Sequence, residues 1–240
     1  MIPRRRSALV LSLFGALLIP IAVSSAPRHV EPLPPGTPVH RAAEVHGTCA
    51  LGTVGDPELV GDLFPPDDTY LMLIRPTTCG ACSVTVLSNV HVWLEFRKPC
   101  SVPVSISVVR AFGSPCMQPD QGQVVFPAIS AVLTADPCDS ESCTQEFIVP
   151  VPAEWRLDTD AFLAVSFTAV TDSCSLEGEQ PRIALRDGCP RCVAYESFAG
   201  STEDVCQFGA GLPLLSVDVS ECITTPVLRR SWGTLKMRYR

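Results

Sequence analysis

Histidine is scarce in this chain and poorly placed for catalysis. There are four in 240 residues. Three of them, His29, His40 and His46, fall in a proline-rich stretch near the start. Only His91 stands in a segment with regular periodicity. No Ser–His–Asp or Cys–His set can be assembled without it, and neither GxSxG nor HExxH occurs, so acyl transfer and metallopeptidase chemistry find no motif. An EF-hand loop and an internal repeat are also absent. Beyond the first segment no apolar run is long enough to cross a bilayer. Basic charge is short as well, with 18 Lys and Arg against 25 Asp and Glu. An acidic surface repels nucleic acid phosphates and anionic lipid, so neither is expected as a partner of the body.

The first segment, residues 1–26, has the layout of a signal peptide. Arg4, Arg5 and Arg6 form a basic start, Ala8 to Val23 an apolar run broken by Pro20, and Val23-Ser24-Ser25-Ala26 a small-residue cleavage site. An uncleaved anchor is the competing reading, and Pro20 and the short run argue against it. Export is therefore expected, to the extracellular space, the cell surface or the periplasm, with no transmembrane span after cleavage. Without the three arginines the 18 basic residues fall to 15 against 25 acidic ones, a net charge of −10.

All 12 cysteines follow that segment: Cys49, Cys79, Cys82, Cys100, Cys116, Cys138, Cys143, Cys174, Cys189, Cys192, Cys206 and Cys222. An even count in an exported chain implies disulfides. Spacing does not give their connectivity, although the local pairs Cys100–Cys116 and Cys138–Cys143 would clamp loops between strands. Two CxxC motifs, Cys79-Gly-Ala-Cys82 and Cys189-Pro-Arg-Cys192, have the spacing of a four-thiolate zinc site or of a redox pair. Each precedes or begins a strand rather than a helix, which favours structural disulfides.

Strand patterning runs through the body. Val84, Val86, Val90, Val92, Leu94 and Phe96 alternate with Thr85, Leu87, Asn89, His91, Trp93 and Glu95. After Arg97 to Ser101, Val102, Val104, Ile106 and Val108 alternate with Pro103, Ser105, Ser107 and Val109, so the pair reads as a central hairpin. Further strands are expected at 69–75, 128–135, 144–151, 161–170, 182–186, 192–198 and 214–219, with loops at 52–68 and 113–127. No helix is convincing. The pattern predicts an all-β fold, a single antiparallel β-sandwich, jelly-roll-like and stapled by disulfides. It divides the chain into a signal peptide (1–26), a proline-rich leader or linker (27–47), the sandwich (48–222) and a basic tail (223–240).

Several features together, TYLMLIRPTTCGAC, a strand with central aromatics, KPCSVPVSISVV, AFLAVSFTAV and the closing LLSVDVSEC, resemble a group of functionally uncharacterised exported bacterial proteins. The ending SWGTLKMRYR is similar to a short tail recurring on secreted proteins of that kind. The resemblance implies export and a jelly-roll-like, disulfide-rich sandwich, and it implies no activity. In the tail, Trp232, Leu235 and Tyr239 share one face if it is helical. Disorder, membrane-surface contact and a sorting tag are the competing readings.

Candidate ligand-binding residues are Asn89, His91, Trp93 and Glu95, which share one strand face, and Trp155 in a loop. An exposed tryptophan among polar neighbours would stack a sugar. Ordinary packing of Trp93 is the alternative. Asp136, Asp139, Glu141, Asp158 and Asp160 are loop oxygens of the type that binds calcium, the one cofactor considered. The leading expectation is a non-enzymatic interaction module whose partner is an extracellular protein or glycan. A carbohydrate-binding module and a polysaccharide hydrolase using paired loop carboxylates follow it.

Overall fold

The computed structural model describes residues 29–42, 49–63, 68–168, 180–209 and 211–224. The expected signal peptide, Cys174 and the tail beyond Thr224 lie outside the described residues. Within them the chain is 60% strand with no α-helix, in two sheets packed face to face and antiparallel apart from one two-residue parallel pair. No helix there is long and apolar enough to cross a membrane.

The first sheet is built around β6 (Val84–Phe96), which is paired along both edges. Along one edge run β9 (Cys143–Pro150) and then β10 (Arg156–Leu157). Along the other run β12 (Arg182–Arg186) and then β16 (Leu215–Ile223). Outside these lie β4 (Leu59–Asp62), β1 (Val30–Pro32), β3 (Cys49–Gly52), β15 (Leu212–Pro213) and β2 (Val39–His40). The second sheet has the order β14 (Ser201–Asp204), β13 (Ala194–Phe198), β5 (Asp68–Ile74), β11 (Ala161–Phe167), β7 (Ser101–Phe112) and β8 (Gln118–Thr134).

The core between the sheets follows the alternation. Val90, Val92, Leu94 and Phe96 face Val102, Val104, Ile106 and Val108, with Leu163, Val165 and Phe167 from β11. The regular alternation of β6 breaks once. Val217 pairs with Val90 and Val219 with Leu87, so Ser88 and Asn89 together face Asp218 in a bulge. The bulge shifts the phase, and Leu87 rather than Val86 joins the main core.

Four expectations need correction. First, β6 and β7 are not a hairpin. They lie in opposite sheets, because two strands that each bury one face show the same alternation whether they pair side by side or meet across a core. Second, residues 118–127, expected as loop, begin the long edge strand β8. Their polar, Gly- and Pro-containing sequence follows from exposure and from register shifts against β7. The same turn chemistry hid β3 and β4.

Third, the stretch read as a leader contributes β1 and β2. Val30, Gly61, Ile183, Leu94, Gln145 and His40 lie in one row across the sheet. That row is about 24 Å wide at roughly 4.8 Å per strand spacing. The chain from Val30 to His40, at about 3.3 Å per residue, is long enough to cross it. The other sheet fills the inner side, so residues 33–38 cross the outer side.

The fourth concerns disulfide pairing: the CxxC cysteines form structural disulfides, as expected, each with a partner outside its own motif, Cys49–Cys79, Cys82–Cys222, Cys116–Cys192 and Cys189–Cys206. Cys138–Cys143 forms as expected. Cys100–Cys116 does not, because β7 separates these residues by its full length. Cys100 is itself disulfide-bonded, and no cysteine among the described residues is free.

The tip of the β7–β8 ribbon bends over the outer side of the second sheet. Met117 and Ala111 pack on a small cluster of Leu71, Leu73, Val109, Phe162, Ala164 and Tyr195. The Tyr195 hydroxyl donates to the Met117 carbonyl at 2.8 Å, and Gln121 Nε2 donates to Thr202 Oγ1 at 3.0 Å. Thus β8 reaches from one edge of the sheet to β14 at the other, and Cys116–Cys192 fastens the tip there. Replacing Cys116 and Cys192 together by serine is expected to cost roughly 2–4 kcal/mol. Hydrogen exchange should rise first at residues 113–121, and equal loosening across both sheets would contradict this arrangement.

Candidate functional site on the outer face of the first sheet

The four β6 residues singled out in the sequence do share one face, and the structure surrounds each with partners. Glu95 is 0% exposed. A carboxylate buried so deeply requires a cation against it. Arg182, opposite it on β12, supplies one by a two-pronged contact: Nε donates to Oε2 and Nη2 to Oε1, each at 3.0 Å. The third arm, Nη1, donates to Glu31 on β1. Burial opposes the Arg182 charge, but hydrogen bonds to Glu95 and Glu31 outweigh it and raise its pKa. In turn the Arg182 hydrogen bond holds the Glu31 carboxyl below its ordinary value.

His91 lies four residues from Glu95 along β6, between two acids. Its Nδ1 is 2.9 Å from Glu146 Oε1 on β9, diagonal to it in the ladder. Its Nε2 is 3.0 Å from Asp218 Oδ2 on β16, in an ion pair without hydrogen-bond alignment. Side-chain exposures of 13%, 14% and 10% for His91, Glu146 and Asp218 put all three out of bulk water. Burial disfavours the imidazolium, and the contacts with Glu146 and Asp218 more than offset it, so the His91 pKa is raised. With both ring nitrogens against carboxylates, the doubly protonated ring is the form that fits. Asn89 Nδ2 adds a long contact to Asp218 Oδ2 at 3.4 Å. The Ala42 amide donates to Glu146 Oε2 at 3.2 Å, tying the proline-rich segment to the same cluster.

Trp93, between these two charged groups, is 5% exposed. It packs with Ala184 and Leu214, and the Arg41 guanidinium sits 5.9 Å from the ring centroid. Arg41 also pairs with Asp56. Trp93 is therefore packed and covered, and it offers no open platform to a sugar. Trp155 is 1% exposed and stacks on Phe126 at 5.2 Å within the main core, so it has no free ring face either.

The acidic loop residues do not converge. The Asp136 amide donates to Gln145 Oε1 at 2.9 Å, Asp160 lies 3.6 Å from Arg75, and Asp139, Glu141 and Asp158 are exposed. Among the described residues no three His, Cys, Asp or Glu come together as metal ligands. The two acids flanking His91 approach opposite sides of the ring, which leaves no shared point for an ion.

Sequence reasoning missed Arg182, Glu31, Glu146, Asp218 and Arg41. Only one of these carried a signal: an arginine opening the otherwise apolar strand RIALR needs a buried acid if that position faces inward. The other partners are set by register across strands far apart in the chain.

Two outcomes are expected. Because the folded His91 pKa is raised, the stability it contributes is fully present below its unfolded value of about 6.5. It is lost as pH rises through the folded pKa. The stability gap between wild type and His91→Gln, from denaturant melts, should shrink from pH ~6 to pH ~9, and a gap constant or widening with pH would contradict the ion pairs. Trp93→Ala is expected to cost roughly 3 kcal/mol as a packing loss, whereas an unchanged melting temperature would show that the ring is not packed.

Comparison with known proteins finds no matching family model, no matching curated protein and no matching solved structure. The likeness to exported bacterial β-sandwich proteins therefore rests on the sequence motifs alone.

Proposed function

We propose that this protein is an exported, non-enzymatic β-sandwich that acts as an interaction module. The observation that carries the reading is the β7–β8 ribbon. The exposed large apolar residues concentrate there, with Phe112 at 49%, Val124 at 56%, Val125 at 41% and Val132 at 62%. Solvated strand edges normally carry charge, and an apolar edge left open marks a place where another chain adds. The acids on the outer face of the first sheet, by contrast, are engaged in the fold. Glu95, Glu146 and Asp218 are held by Arg182 and His91, which is the arrangement of structural ion pairs rather than of a carboxylate pair free to do acid–base work. Disulfides throughout the described residues support an oxidising compartment.

Carbohydrate binding remains the second reading, at a different place from Trp93 and Trp155. An open groove of about 460 Å³ lies where the ribbon tip meets the β13–β14 turn, lined by Phe112, Pro119, Asp120, Gln121, Ser197, Gly200 and Thr202. Half-exposed Phe112 offers a ring face beside polar groups.

A photo-cross-linking residue at position 132, with the same residue at exposed Val54 as control, tests the leading reading in the native host. A discrete adduct from position 132 alone is expected. Release of reducing ends from polysaccharide, lost on Asp158→Asn or Asp160→Asn, would overturn the non-enzymatic reading. Glycan-array binding lost on Phe112→Ala would favour the second.

A further inference from the structure

We propose that the free edge of β8 pairs with the same edge of a second copy of this chain, about a two-fold axis at Val132. The proposal rests on reading the ribbon as an interaction surface and names its occupant.

The backbone defines the free edge. Among the described residues β8 pairs only with β7. The Ala135 amide donates to the Cys100 carbonyl at 2.9 Å, so position 135 turns its polar groups toward β7. In an antiparallel ladder this direction alternates, so Leu133 and Ala131 also point to β7. Ser130, Val132 and Thr134 therefore present their N–H and C=O groups outward. All three are exposed, and the register from Ser101↔Thr134 to Ile106↔Ile129 is unbroken. Pro127 closes this regular stretch on one side and Asp136 on the other.

The outward triplet is complementary to itself. Antiparallel pairing centred on Val132 sets Val132 against Val132 and Ser130 against Thr134 of the second copy. Valine pairs and Ser–Thr pairs are both favourable across strands. Roughly six backbone hydrogen bonds would form, and the second sheet would continue through both molecules.

Charge points to the same occupant. No Asp, Glu, Lys, Arg or His occurs from Gln121 to Ala135. Elsewhere two copies of an acidic chain repel one another, whereas this edge brings no like charges together. A two-fold contact uses the β8 edge of both copies at once, so the contact is closed at that edge.

The test uses the oxidised protein in the form its host produces, by sedimentation equilibrium over roughly a hundredfold range of concentration. Wild type is expected to be a dimer. Val132→Lys and Val132→Glu should each weaken self-association by at least about tenfold, since each opposes like charges across the axis. An equimolar mixture of the two variants should recover the dimer. Position 132 is solvent-exposed in the single chain, so each variant should unfold cooperatively at the melting temperature of wild type diluted to monomer, which separates interface loss from misfolding.

A wild-type monomer throughout, a dimer indifferent to both substitutions, or a mixture that stays monomeric would each overturn the proposal. A wild-type monomer that still gives a discrete adduct from position 132 would remove self-pairing alone and leave the interaction reading in place.

Discussion

A buried carboxylate cannot stand without a cation, and the whole first sheet is arranged around one. Glu95 lies fully buried near the end of the strand that pairs with more neighbours than any other described here. It requires Arg182, which fixes β12 beside β6. Arg182 has a third donor arm, and Glu31 occupies it, which fixes β1 and the start of the proline-rich segment. Three elements far apart in sequence are thus brought to one row by a single electrostatic need. Such a triad specifies a register more than it adds net stability, because desolvation offsets much of the attraction.

The His91 cluster repeats the device further along the same strand. The bulge at Ser88 and Asn89 sets Asp218 on the opposite side of the imidazole from Glu146. Both outer sides of the sandwich then carry an added layer. On the first sheet it is the segment 29–42, held by Glu31, Arg41 and Ala42. On the second it is the ribbon tip, held by Cys116–Cys192 and by Tyr195. With these outer sides occupied, the free edge of β8 remains the main apolar surface open to another chain.

The strands with strong alternation were legible in the sequence, and β5, β6, β7, β9, β11, β12, β13 and β16 all lie where the pattern placed them. So was Cys138–Cys143, because a short loop limits the choice of partners. Sheet membership was not legible, since alternation records that one face is buried and not what buries it. The long disulfides were equally hidden: Cys82 and Cys222 are separated by 140 residues and meet only once β6 and β16 pair. On the site face the four β6 positions were read correctly as sharing a side. Their chemistry was misread because Arg182, Glu146 and Asp218 come from other strands, and because Arg41 comes from a stretch whose prolines signal a linker. Two- and three-residue strands leave no periodicity to detect.

The proline-rich segment belongs to the fold through Glu31 and Arg182. Removing residues 27–42 and measuring stability by denaturant unfolding tests it most directly. The expected result is a loss of at least about 2 kcal/mol, from the charged hydrogen bonds and short strand pairs removed, with faster exchange on β4 and β12 and the second sheet less affected. An unfolding curve that overlays that of the intact protein would contradict this and show the segment to be a linker lying on the surface.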